Sequence, residues 1–219
     1  MHADAFSNRS RIAVLGFLLT GLFVSGQVLA SDGCPRPQDS SQGYGPYDYT
    51  NPYHFAERLP RVEEHHFWRA IENLDSDNTR MLARNLRYTL NVFPNHHRAL
   101  RSMTRLVIRT GEAQPRGLER TIDCWFYRAH VFAPQDGVVH MIQGMYHYDL
   151  GEYDEALARM KAGLELEPDN LNIIYNLGLV YAEIEDYPSA REYAERVYEA
   201  DFPLDGLRRK LQAAGYWDG

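Results

Sequence analysis

Residues 138–170, VVHMIQGMYHYDLGEYDEALARMKAGLELEPDN, and residues 171–203, LNIIYNLGLVYAEIEDYPSAREYAERVYEADFP, decide the fold. Gly144 and Gly178, Tyr153 and Tyr187, and Ala156 and Ala190 form three pairs, each 34 residues apart. Pro168 and Pro203 close the two segments. A fixed period of this length marks a repeat array. The small residues let two antiparallel helices approach closely, and Tyr153 and Tyr187 begin the second helix of each pair. The prolines end the unit, because Pro cannot continue a helix and biases the residue before it to an extended conformation. The competing reading, two unrelated amphipathic hairpins, has to produce these coincidences by chance.

This spacing resembles the tetratricopeptide repeat, a helix-turn-helix unit of 34 residues. The resemblance is close over 137–203 and looser upstream. It implies an all-α fold: a right-handed helix-hairpin solenoid of about four repeats with a C-terminal capping helix. Pro60, Pro94, Pro134, Pro168 and Pro203 are separated by 34, 40, 34 and 35 residues, which sets the units at 61–94, 95–134, 135–168 and 169–203. In the first unit Phe67, Trp68, Ile71 and Leu74 have helical spacing, and Met81, Leu82, Leu86 and Leu90 continue on a second helix. The second unit predicts helices over 97–110 and roughly 116–132, with the turn GEAQPRG absorbing the extra length. Both units lack the Gly at the helix crossing. Leu204, Leu207 and Leu211 predict a capping helix within 204–219, which such arrays need to cover the last apolar face.

The N-terminal residues are expected to carry an export signal. Arg9 and Arg11 precede the apolar run Ile12 to Val24, and Val28-Leu29-Ala30 offers a cleavage site, so residues 1–30 read as a signal peptide. The alternative is an uncleaved anchor, since no charge occurs between Arg11 and Asp32. The residues before Cys34 do not fit a lipoprotein signal. The expectation is a bacterial exported protein, periplasmic or extracellular, with no membrane contact after cleavage. In an oxidising compartment the two cysteines, Cys34 and Cys124, favour pairing. The other reading is a buried thiol at Cys124 and a loose one at Cys34.

Residues 31–60 form a Tyr/Pro/Gly-rich arm. Tyr44, Tyr47, Tyr49, Tyr53 and Phe55 fall within twelve residues, whereas a plain disordered tail is poor in aromatics. The arm is expected to dock, either on its own solenoid or on a neighbouring molecule.

Chemistry for catalysis is not evident. No nucleophile elbow, phosphate-binding Gly loop, HExxH or CxxC occurs. His140 and His147 lie seven apart on one helix face, a spacing that also suits packing residues, and the adjacent pairs His65-His66 and His96-His97 read as surface or capping residues. The chain is therefore expected to use no cofactor and no metal. Its net charge of -7, with both signs scattered, argues against a general nucleic-acid binder.

In the family that this sequence resembles, the first helix of each unit lines a groove that grips peptides. That register implies Arg98, Arg101, Arg105 and Arg109 at groove positions, spaced 3, 4 and 4 along one helical stripe. Matching positions downstream hold Met141, Met145, Tyr148, Tyr175 and Leu179. A groove basic at one end and rich in Met and Tyr at the other suits an acidic, partly apolar peptide. Alternatively the arginines form a solvated face neutralised by Glu64 or Glu112. The resulting expectation is a non-enzymatic exported scaffold with a protein or peptide partner and no nucleic acid. The alternative is a self-assembling subunit that forms a homo-oligomer or filament through its arm.

Overall fold

The computed structural model describes residues 33–37 and 43–218. The expected signal peptide, residues 1–30, lies outside the described residues. Among them the regular structure is all helical: α1 Pro52–Glu57, α2 Leu59–His66, α3 Arg69–Glu72, α4 Thr79–Val92, α5 His97–Thr110, α6 Ile122–Phe132, α7 Gly137–Asp149, α8 Tyr153–Leu166, α9 Leu171–Glu183, α10 Tyr187–Glu199 and α11 Gly206–Ala213. Successive helices stack into a solenoid. The pairs α7–α8 and α9–α10 make its most extensive contacts, and α11 closes on both α9 and α10.

Local chemistry sets the helix ends. Each Pro after a helix is followed two residues later by the residue that precedes the next long helix. At three of the four prolines that residue caps the helix with its side chain: His96 accepts from the amide of Ala99, Asp136 from Val139, and Asn170 from Ile173. The fourth, Asp205, precedes α11 without a side-chain cap bond. A cap of this kind satisfies one of the orphan N–H groups at a helix start. The Pro-x-cap signal therefore marks where one unit ends and the next begins.

Tight packing sets the helix pairing. A Cβ built on Gly163 would stand 2.6 Å from the carbonyl oxygen of Gly137, and one on Gly137 would stand 2.6 Å from that of Gly163. A Cβ on Gly144 would meet Met160 Cγ at 2.5 Å and the Ala156 carbonyl at 3.0 Å. So α7 and α8 touch backbone to backbone, at Gly137/Gly163 as well as at the expected Gly144/Ala156 crossing. Gly178 behaves differently, because its missing Cβ makes room for Leu207 of α11 at 2.4 Å. It serves the cap as well as the close approach to α10, where Tyr193 Cβ would stand 3.2 Å away. One core of Phe67, Leu86, Leu100, Trp125, Tyr146 and their neighbours runs through the successive units. A second joins α9, α10 and α11.

The first two units depart from the expected boundaries. Pro60 does not close a unit: it lies in the first turn of α2, where its missing N–H costs nothing. Helix therefore begins inside the arm, at Pro52. The predicted first helix through Phe67, Trp68, Ile71 and Leu74 is broken. Phe67 leaves helical geometry at φ -140°, α3 lasts four residues, and Leu74 sits at φ 60°. In the second unit residues 116–121 are loop and not helix. Pro115, Gly117 (φ 110°) and the capping Thr121 delay α6 to Ile122. This insertion is packed, for Pro115 and Leu118 are buried and Gly117 lies against the Arg80 carbonyl of α4. The C-terminal helix starts at Gly206, so Leu204 is exposed.

The arm docks on its own chain. Tyr44, Tyr47 and Tyr49 pack over Leu59, Val62, Val92 and Phe93, and the amide of Tyr47 donates to the Val92 carbonyl at 2.7 Å. Tyr49 stacks against His96 at 4.5 Å. Tyr53 and Phe55 point outward. Cys34 and Cys124 are disulfide-bonded, with their Cα atoms 5.6 Å apart, so the bridge ties the start of the described chain to α6.

Two outcomes follow from this packing. Gly163→Ala should lower the melting temperature by an amount equivalent to about 1–3 kcal/mol, because its new methyl meets backbone that cannot rotate away. Thermal unfolding of the purified variant checks it. The bridge closes a loop of 90 residues, worth about 4–5 kcal/mol in the chain-entropy picture. Alkylation without reduction should add no label to the intact mass, and reduction should lower the melting temperature.

Candidate binding surface

The first helices of successive units lie side by side: α3, α5, α7 and α9 form one layer, which α11 extends. Polar side chains bridge neighbours along it. Arg98 of α5 donates to Glu72 of α3 at 2.7 Å and to Glu63 of α2 at 3.0 Å, and its guanidinium lies 5.3 Å from the Phe67 ring centre. Arg101 meets Asp149 of α7 at 2.6 Å. Tyr148 of α7 donates to Glu183 of α9 at 3.2 Å, and Lys210 of α11 reaches the same carboxylate at 2.6 Å. The hydrogen bond from Arg98 holds the Glu72 carboxyl below its ordinary value. Burial, with the neighbouring Glu183 charge, pushes the Tyr148 phenol up to about 12.

The arginine stripe is therefore largely spoken for. Its carboxylate partners are Glu63, Glu72 and Asp149, not the expected Glu64 or Glu112. The spacing of Arg98, Arg101, Arg105 and Arg109 does put them on α5, but three of the four guanidiniums are committed within the chain. Arg109 donates to the Leu74 carbonyl at 2.8 Å and braces the left-handed turn there. Arg105 is exposed, with no ion pair or hydrogen bond to a described residue, and its charge acts on Glu72. With Asn73, Leu74, Ile108 and Asp149 it borders a cleft between α3, α5 and α7.

The apolar positions divide too. Met145, Tyr148 and Leu179 are half-buried and reach the surface. Met141 and Tyr175 are buried at 9% and 7% exposure and act as wall, not as contact. Tyr175 packs on Phe202 with ring centres 5.0 Å apart. The burial follows from the close stacking of α7 on α9, where Asn176 approaches the Met141 sulfur at 3.6 Å.

The histidines are placed by tertiary contact. His140 and His147 do not converge: His147 Nδ1 pairs with Glu152 at 2.7 Å, and the His140 ring lies 4.1 Å from that of His130 on α6. His96 is fully buried, so it is a capping residue but not a surface one. Its Nδ1 accepts from Ala99, so its proton sits on Nε2 and is donated to Glu63 at 3.1 Å. Sequence reasoning also missed Asp136, a buried hub. It caps α7, accepts from His97 at 2.8 Å and accepts from Asn95 at 2.9 Å. Asn95 also donates to Asp48 of the arm at 2.8 Å. The Pro-x-Asp pattern foreshadowed the cap, but nothing in it foreshadowed the other partners.

The family comparison fits this geometry. Residues 143–203 match the family model described as tetratricopeptide repeat. That segment is similar to the tetratricopeptide repeat. Its matched span covers most of α7 and all of α8, α9 and α10, the stretch in which helix pairing is tightest. The chain is also similar to the crystal structure of MamA, at 16% identity and a TM-score of 0.44, over 66% of this chain and 84% of that one. No curated protein matches the sequence.

Stability should depend on pH through the buried His96 and the half-buried His140. Burial holds His96 below its ordinary value against the pull of Glu63. Burial first, and the His130 charge second, push His140 to about 4. Arg159 of α8 acts in the same direction, and Asp136, the N-cap of α7, opposes it. Both folded values lie below the unfolded one. The stability that these neutral rings contribute is present above the unfolded value of 6.5 and is lost as pH falls toward about 4. Melting temperature should drop between about pH 7 and about pH 4.5, and His140→Phe should flatten that slope.

Proposed function

We propose that the chain is an exported, non-enzymatic scaffold that binds a protein segment along α5, α7 and α9. The observation that carries this reading is the row Met145, Tyr148 and Leu179, half-buried on the first helices of consecutive repeats. Such side chains offer adaptable apolar contact without unfolding anything. Arg105, at the other end of the layer, offers the uncommitted guanidinium of the stripe. The internal pairing of Arg98 and Arg101 alters the partner's expected chemistry. An acidic group seeking either one must compete with Glu72 or Asp149, so the segment suited to this surface is mainly apolar, with one carboxylate for Arg105. The Cys34–Cys124 bridge supports the exported location, since disulfides persist in oxidising compartments.

Self-assembly is the second reading. It is favoured by the outward-facing Tyr53 and Phe55, 59% and 50% exposed on an otherwise docked arm.

Site-specific photo-crosslinking separates the two. A benzophenone side chain at Leu179 should give a covalent adduct with another protein, and the same group at Glu192, exposed on α10, should not. Equal yields at both positions would overturn the groove. An adduct of two copies of this chain would favour self-assembly. Arg105→Glu should weaken the heterologous complex about tenfold if a carboxylate docks there.

A further inference from the structure

Among the described residues, an uncommitted basic surface lies on α4, outside the first-helix layer. Thr79–Val92 carries Arg80, Arg84 and Arg87 and no acidic residue. Leu82, Ala83, Leu86 and Leu90 bury one side of the helix. The arginines, four and three residues apart, line another. Arg87 is held by Glu119. Arg80 and Arg84 are exposed, and neither side chain makes an ion pair or a hydrogen bond with a described residue. On α5, by contrast, Glu63 and Glu72 pair with Arg98, and Asp149 pairs with Arg101.

The surface is also shaped and fixed. The three arginines border a cleft of about 370 Å³ with Asn78, His66 and Tyr88. The His66 ring stacks on Tyr88 with centres 3.7 Å apart, and its Nδ1 meets Asn85 at 3.2 Å. Asn85 is anchored in turn on the Met81 carbonyl at 2.9 Å. A flat aromatic wall, itself held in place, thus stands beside a row of guanidiniums.

We propose that this α4 face is a second docking site, for an acidic, extended peptide segment of a partner protein. The spacing suits such a segment. Arg80 and Arg84 are separated by about 6 Å along the helix axis. Same-face side chains of an extended chain recur every 6.6 Å or so. Alternate carboxylates can then meet successive guanidiniums bidentately. Charge distribution favours a short segment over a long polyanion. Residues 43–134 hold 13 basic and 10 acidic side chains, a net +3, whereas residues 135–219 hold 7 and 17, a net -10. A nucleic acid long enough to pass the α4 face would meet the field of the acidic half, which a short peptide avoids. The proposal extends the scaffold reading but stands apart from the α5–α7–α9 layer, because the two surfaces share no residue.

The test uses the full mature chain and a fluorescein-labelled octaglutamate peptide, read by anisotropy at about 25 mM salt. Binding is expected, and it should weaken at about 300 mM salt as screening grows. R80E/R84E should lower the affinity at least tenfold or so. K161E/R191E removes equal charge from α8 and α10 and should leave the affinity within about twofold. Unchanged helicity in both double variants confirms that the fold survives, as expected for exposed side chains. Three results would overturn the proposal: no octaglutamate binding at low salt, equal binding by R80E/R84E, or tighter binding of an oligonucleotide of the same charge. Salt-sensitive dimers abolished by R80E/R84E would assign the site to a second copy instead. Crosslinking at Leu179 is independent of every one of these outcomes.

Discussion

A single buried carboxylate holds the N-terminal half together. Asp136 caps α7, receives His97 from α5 and receives Asn95 from the loop between α4 and α5. Through Asn95 it reaches Asp48 and the amide of Tyr49, and so the arm. An acceptor this deeply buried is costly unless its lone pairs are filled. Each of its donors comes from a different element, so each is fixed in place by the same requirement. The irregular segments of units one and two are held by this hub and the tyrosine cluster, where the later units rely on close helix packing. Losing Asp136 would leave His97 without this acceptor and Asn95 with Asp48 alone, at the point where three elements meet.

The same economy governs the helix layer. Arg98, Arg101, Tyr148 and Lys210 each bridge from one helix to another. Individually such exposed pairs contribute little, roughly 0–1 kcal/mol. Collectively they set the spacing of the helices and leave the surface nearly neutral there. What remains for a partner is apolar relief and one guanidinium. The basic character has moved to α4, whose arginines have a single carboxylate, Glu119, among the described residues. One layer thus presents Met145, Tyr148 and Leu179, and a separate helix face presents charge, which suits a scaffold that holds two different kinds of segment.

Much of this architecture was legible in the chain itself. The 34-residue spacing of Gly144/Gly178, Tyr153/Tyr187 and Ala156/Ala190 placed α7 to α10, since each residue type reports a local demand: close approach, helix start, crossing. The helix over 97–110 was readable to the residue, because its apolar stripe, its cap and Gly111 are all local signals. The disulfide was expected from cysteine number and compartment, with the free thiols as the alternative.

Tertiary structure alone decided the rest. Periodicity cannot tell that Phe67 ends a helix instead of continuing one, because that break is imposed by the fit of Phe67 beneath Arg98 and beside His96. Nor can it tell a displayed arginine from a paired one. Arg98 finds Glu72 across 26 positions of chain, and Arg101 finds Asp149 across 48. The arginines of α5 and of α4 look alike in sequence, with similar helical spacing and no acidic residue within either helix. They differ in what the neighbouring helices bring to them. Local spacing determines which face of a helix a side chain occupies, and only the packing of distant elements determines whether its charge is already answered.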